Sequence, residues 1–166
     1  MIKIIEGNIV DAQTDYIIHQ VNCQGEMNTG VAKALRDFDE SIYIHYRYMC
    51  EVYKFDPTSL LGTYDQYDIK NGAQTVLSLF AQNNYGYDGK QYTDVKAFQD
   101  GLKSISQQIP IYWFDVDNRP HKTSIALPYK IGCGRGGADW EVVYKIIEEE
   151  LSSFKVELWK LEEQNV

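Results

Sequence analysis

Apolar and polar positions along the chain follow two periods. Alternating or β-branched runs mark "IKIIEGNIV", "DYIIHQVN", "LLGTYDQYDI", "TVLSLFAQ", "TSIALPYKI" and "FKVELWKL" as strands, because successive strand side chains point to opposite faces. Between these runs the apolar spacing lengthens to three and four. A first helix is expected from about Thr29, resuming over "DESIYIHYRYMCEVY", and a second over "TDVKAFQDGLKSISQQI", where Val95, Phe98, Leu102 and Ile105 share a face. The last, "ADWEVVYKIIEEEL", lines up Trp140, Val143, Tyr144, Ile147 and Leu151 and leaves Glu148 to Glu150 mainly outside. Residues 109–122, "IPIYWFDVDNRPHK", carry proline at both ends and no period, which predicts a long connection. Strands alternating with helices predict an α/β sandwich around a mixed, largely parallel sheet, with ligands at the carboxyl ends of its strands.

Composition narrows this picture. At 166 residues and 44% hydrophobic content the chain suits a single domain, residues 1–166, with a real core. Thirteen tyrosines against six phenylalanines supply rings with one packed end and one wet end, as a polar cleft or a tyrosine-rich core edge would need. A net charge of −8 with no Lys/Arg cluster argues against direct nucleic-acid binding, so any phosphate would be held mainly by backbone groups. The opening "MIKIIEGNIV" predicts neither a signal peptide nor a membrane span, and the cytoplasm is the default location. Three cysteines without CxxC spacing predict neither a disulfide framework nor a zinc site, and no metal or cofactor is expected.

Two glycine-rich loops each follow a strand and open a helix: "VNCQGEMNTGVAKAL" (21–35) and "IGCGRGGADW" (131–140). Glycine admits positive φ and close ligand approach, while successive N–H groups and a helix N-terminus attract anions. Neither loop has the GxGxxG spacing with a downstream acid, nor GxxxxGK[ST], so dinucleotide and Walker-type readings fail.

Together with "GNI" at 7–9, these loops resemble those of macro domains. The similarity is to the branch that holds the yeast-type ADP-ribose-1″-phosphate phosphatase and the terminal ADP-ribose protein deglycosylases, and it spans nearly the whole chain. It implies a three-layer α/β/α sandwich with a central mixed, largely parallel sheet and ADP-ribose, or a derivative, across the strand ends. On this resemblance Asn8 and Ile9 meet adenine, with Asn8 where an acid is commoner. The first loop, Asn22 to Val31, with Asn22, Gly30 and Val31 as its named contacts, wraps the distal ribose and one phosphate. Gly132, Cys133, Gly134, Arg135, Gly136 and Gly137 cradle the diphosphate.

Two residues are candidates for proton transfer. His19, in "IIHQVN", matches a strand histidine of the phosphatase relatives; as a half-buried strand residue it equally suits the core. Asp139 matches a deglycosylase aspartate and is also a favoured N-cap. The lysine those relatives use after the strand "TVLSLFAQ" is replaced by Gln82 and Asn83, which removes an amine nucleophile. Cys23 and Cys133 are expected to pack beneath their loops, and Tyr85 and Tyr87 to stack on a ligand or form surface rings. His45 and His121 carry no motif and are expected to be structural or exposed. Three functional readings remain open: hydrolysis at the distal ribose of free or macromolecule-linked ADP-ribose, binding without turnover, and an interaction domain whose glycine loops are only turns.

Overall fold

The computed structural model of the protein describes residues 2–161. In chain order its strands are β1 (Ile2–Glu6), β2 (Tyr16–Asn22), β3 (Tyr64–Ile69), β4 (Gln74–Gln82), β5 (Tyr112–Phe114), β6 (Pro120–Lys122), β7 (Ser124–Pro128) and β8 (Lys155–Lys160). The α-helices are α1 (Gly30–Phe38), α2 (Glu40–Val52), α3 (Val95–Gln108) and α4 (Trp140–Glu150). Six strands form one sheet in the order β1-β8-β7-β2-β4-β3, parallel throughout except for β3, which runs antiparallel to β4 along one edge.

The buried strands β2 and β4 read as nearly continuous apolar runs because helices cover both faces of the sheet. On one face Ile18, Leu77, Leu79, Ile125 and Leu127 pack with Phe98, Leu102 and Ile105 of α3 and Val143 and Ile147 of α4. On the other, Ile17, Val21, Val76 and Phe80 pack with Leu35 of α1 and Ile42 and Tyr46 of α2. The result is the expected three-layer α/β/α sandwich.

Helix ends are set by local chemistry. Asp94 caps α3 by accepting from Ala97 N at 2.9 Å, and Asp139 caps α4 by accepting from Glu141 N at 2.9 Å. Asp39 divides the first helical region: its N–H closes α1 on Leu35 O at 3.0 Å, while its carboxylate caps α2 through Ser41 N at 2.9 Å. Thr29, the N-cap of α1, makes no side-chain capping bond.

Two local expectations need correcting. The first strand ends at Glu6, since Asn8 Oδ1 accepts from Val10 N at 3.2 Å and starts a short 3-10 turn over Ile9–Asp11. The segment 109–122 contains a hairpin of β5 and β6, whose turn is tied by Asp115 Oδ1 accepting from the N–H groups of Asp117 and Arg119. Its strands escaped notice because Tyr112, Trp113 and Phe114 are all exposed, so no inside-outside alternation exists. Trp113 stacks on His121 at 4.3 Å and donates to Asp15 Oδ2 at 3.2 Å, which fastens the hairpin beside the main sheet.

Candidate functional site

Strand β2 lies between β7 and β4, and the two glycine-rich loops leave the carboxyl ends of β2 and β7. A cavity of about 380 Å³ opens there, walled by the start of α1 on one side and by residues 128–136 on the other. A second, of about 300 Å³, adjoins it and is walled by the first loop and by Tyr85, Gly86 and Tyr87. The two share Gln20, Thr29, Ala32, Gln82 and Arg135, so they form one cleft.

Two sets of unused backbone donors meet in the larger cavity. The hydrogen bonds of α1 begin with Lys33 N donating to Thr29 O at 3.2 Å, and Thr29 offers no side-chain cap. The N–H groups of Gly30, Val31 and Ala32 are therefore left for a ligand or water. Across the cavity, no protein acceptor among the described residues reaches the N–H groups of Gly134, Arg135 and Gly136. Positive φ at Gly30 (+60°) brings the chain into α1 without a side chain over this opening. No acid stands in the first turn of α1, so the positive end of its dipole is unopposed there.

The second loop is held rigidly from behind. Gly136 O accepts from Tyr92 N at 2.8 Å and Thr93 N at 2.9 Å, and Thr93 Oγ1 donates to Gly132 O at 2.8 Å. Gln20 Nε2 donates to Thr93 Oγ1 at 2.7 Å and to Gln82 Oε1 at 2.8 Å, tying the ends of β2 and β4 to this loop. A Cβ on Gly136 would overlap Thr93 Oγ1 and lie 2.5 Å from Gly132 O, so this glycine is required by packing. Gly134 has nothing within 4 Å of a Cβ position and faces open space.

Comparison with known proteins fits this arrangement. No family model matches the chain. It is 26% identical over 165 residues to the DNA ADP-ribosyl glycohydrolase of Thermus aquaticus, covering 98% of this chain and 41% of that protein. It is 37% identical over 75 residues to the ADP-ribose 1″-phosphate phosphatase of Aspergillus oryzae, 45% of this chain and 37% of that one. The chain thus spans about two fifths of the length of the curated relatives it matches. Among solved structures, the macrodomain of Thermus aquaticus DarG superposes with a TM-score of 0.71 at 25% identity, over 98% of both chains. The chain has the macro-domain fold. A more distant structure of the same fold, Thermosipho africanus DarTG in complex with ADP-ribose, has a TM-score of 0.71 at 16% identity, over 99% of this chain and 43% of that one.

Within this fold the residues singled out from sequence fall into three groups. Gly30, Val31, Gly132, Gly134, Arg135 and Gly136 line the larger cavity, with His19 at its wall. Arg135 sits with its guanidinium 4.3 Å from the Tyr87 ring centroid, and both residues line the smaller cavity. Asn22 also lines the smaller cavity, but its amide is engaged inside the loop. Its Oδ1 accepts from Gln24 N, Glu26 N and Tyr46 Oη, and its Nδ2 donates to Glu26 O at 2.9 Å. Asn22 thus shapes the loop before it can touch a ligand.

The third group lines neither cavity. Asn8 is exposed and occupied with its own turn, and Ile9 is buried in the core on the α1/α2 face; neither lines either of these two cavities. Asp139 is exposed, serves as the cap of α4, and walls neither cavity. A Cβ on Gly137 would lie 2.9 Å from Lys90 O and 3.0 Å from Gln91 Cα, so the loop packs closely on residues 90–91 there. Cys133 donates its S–H to Ile131 O, and burial pushes its thiol up from the ordinary range. Cys23 is buried and pushed up to about 12, first by burial and then by the neighbouring Cys50. A thiol so protonated is a packing group.

His19 is 1% exposed, with Nε2 2.7 Å from Ser78 Oγ and Nδ1 buried without a partner. Burial lowers its pKa to about 3, so the imidazole is neutral at physiological pH. Glu26, Asn28 and Thr29, inside the first loop, and Gln20, which the sequence did not single out, complete the walls. Gln20 lies two positions before Asn22 on the same strand, which was its one visible signal. The link from Thr93 to Gly132 crosses 39 positions and has none.

Proposed function

We propose that this macro domain binds ADP-ribose or a derivative in the cleft and hydrolyses a bond at the distal ribose, with the chain acting as a single domain in the cytoplasm. The observation that carries this reading is the convergence of unpaired N–H groups from α1 and from residues 134–136 on one cavity. Such a pair of donor sets suits the two phosphates of a diphosphate, and lets a chain of net charge −8 hold an anion without a basic patch. The smaller cavity, walled by Asn22, Tyr85 and Tyr87, then takes the distal ribose. Similarity to an ADP-ribose 1″-phosphate phosphatase and a DNA ADP-ribosyl glycohydrolase supports hydrolysis, with an ADP-ribosylated macromolecule or a 1″-phosphate as candidate substrates. Among the described residues, no helix is long and apolar enough to cross a membrane, and no His/Cys/Asp/Glu group is placed to hold a metal ion. The adenine contact expected of Asn8 and Ile9 is not part of this reading.

Binding without turnover is the second reading. It is favoured by one observation: both residues expected to move protons are otherwise committed, His19 as a buried neutral ring and Asp139 as a helix cap. Thermal unfolding with free ADP-ribose tests the binding common to both readings. At a hundred times the dissociation constant the folded state gains about 2.7 kcal/mol, which raises the midpoint by about 5–10 °C for a chain of this size. An unmoved midpoint at millimolar ADP-ribose overturns both.

A further inference from the structure

Asp139 lines neither cavity, and one other carboxylate does line the cleft. Glu26 is the sole Asp or Glu among the residues that line either half. It sits in the smaller cavity, opposite Gln82 and Tyr85, at the end assigned above to the distal ribose.

Its placement is determined from the core outward. Tyr46, on α2, is completely buried and donates to Asn22 O at 2.6 Å and to Asn22 Oδ1 at 2.9 Å. Asn22 in turn grips Glu26 by both backbone groups, donating to its O at 2.9 Å and accepting from its N at 3.3 Å. The Glu26 side chain is held by Asn28 Nδ2, which donates to Oε2 and is itself anchored by Arg36 through Oδ1 at 3.1 Å. Oε1 accepts from no protein group among the described residues. A carboxylate with a fixed backbone, one oxygen occupied and the other open to a polar cavity has the geometry of a proton acceptor for water.

We propose that Glu26 is the general base of the hydrolysis, a role that rests on the reading of the cleft given above. The oxygen of a water held by Glu26 Oε1 bonds to the anomeric carbon of the distal ribose, and the bond from that carbon to the leaving group breaks. The leaving group departs with the electron pair. The water's proton passes to Oε1 and from there to the leaving group or to solvent, which restores the carboxylate. Tyr46 and Asn22 are positioning residues in this scheme.

The same charge restricts the substrate. A terminal phosphomonoester in the smaller cavity would bring a dianion beside the carboxylate, with Arg135 as the one Lys or Arg lining that cavity, whereas an ADP-ribosyl ester or glycoside places no anion there. On their other side Glu26 and Asn28 also wall a further cavity of about 470 Å³, bounded by Tyr43 and Arg47.

The test compares the wild-type protein with Glu26→Gln on an ADP-ribosylated conjugate and on ADP-ribose-1″-phosphate. Wild type is expected to turn over the conjugate in preference to the phosphomonoester. In E26Q the kcat for the conjugate falls at least about a hundredfold while KM stays within about threefold. Its thermal midpoint still rises with ADP-ribose, and 1″-phosphate binds more tightly than to wild type because the repulsion is gone. Turnover of the conjugate by E26Q at the wild-type rate, or a rise in KM at constant kcat, overturns the role of Glu26 and leaves the cleft assignment standing. Absence of both an ADP-ribose midpoint shift and any turnover in wild type overturns the cleft assignment, and the role of Glu26 with it.

Discussion

His19 shows how far a residue's surroundings alter what its type implies. In "IIHQVN" it reads as a group that titrates near neutrality, yet burial lowers its pKa to about 3 and Nδ1 has no partner. A folded state that refuses the proton until pH 3 is penalised wherever the unfolded chain accepts it. The stabilising difference is complete above the unfolded value of 6.5 and is lost progressively as pH falls from there towards 3. At about 1.4 kcal/mol per pH unit, His19 should cost the fold about 2 kcal/mol between pH 6.5 and 5. Urea unfolding at pH 7, 6 and 5 checks this: the stability gap between wild type and His19→Gln should shift by that amount in favour of the variant. A gap independent of pH rules the account out. Residue type was legible here and burial was not, because burial depends on α1 and α2 closing over β2, which no local pattern reveals.

At the scale of elements, the two strand-loop-helix units were legible because each is local: a β-rich run, a glycine cluster and an amphipathic helix in succession. What fixes the loops in space was not legible. Gln20 meets Gln82 and Thr93 across 62 and 73 positions, and Asn22 is held by Tyr46 across 24. The hairpin of β5 and β6 stayed hidden for the opposite reason, since a local turn exists but both of its faces are wet. The glycines of the second loop separate the two kinds of constraint. Gly134→Ala should change stability by less than about 0.5 kcal/mol, since the new methyl meets no protein atom, and should weaken ADP-ribose binding at least about tenfold by standing in the ligand's path. Gly136→Ala should cost about 1–3 kcal/mol of stability, because Thr93 and Gly132 O have no room to give. Paired melting and calorimetric titration of both variants check the contrast; equal effects on stability would show that the loop is not packed as described.

Over the whole molecule, α/β alternation and the absence of a basic cluster were the most legible features, because both are sums over many residues. The sheet order was not, since β8 inserting between β1 and β7 joins segments from opposite ends of the described chain. Global stability bears on function at one further point. A helix whose N-cap residue makes no capping bond is less stable than its sequence allows, and α1 is left in that condition at Thr29. Thr29→Asp should supply the missing cap and oppose the helix dipole favourably, raising the unfolding free energy of the ligand-free protein by about 1 kcal/mol. The same carboxylate would occupy the donors meant for phosphate and repel it, so the ADP-ribose midpoint shift should collapse; a variant that gained stability and kept the shift would refute this. On the proposed reading the fold carries a deficit at α1 that a bound anion would make good, and selection for thermal robustness alone would remove the site.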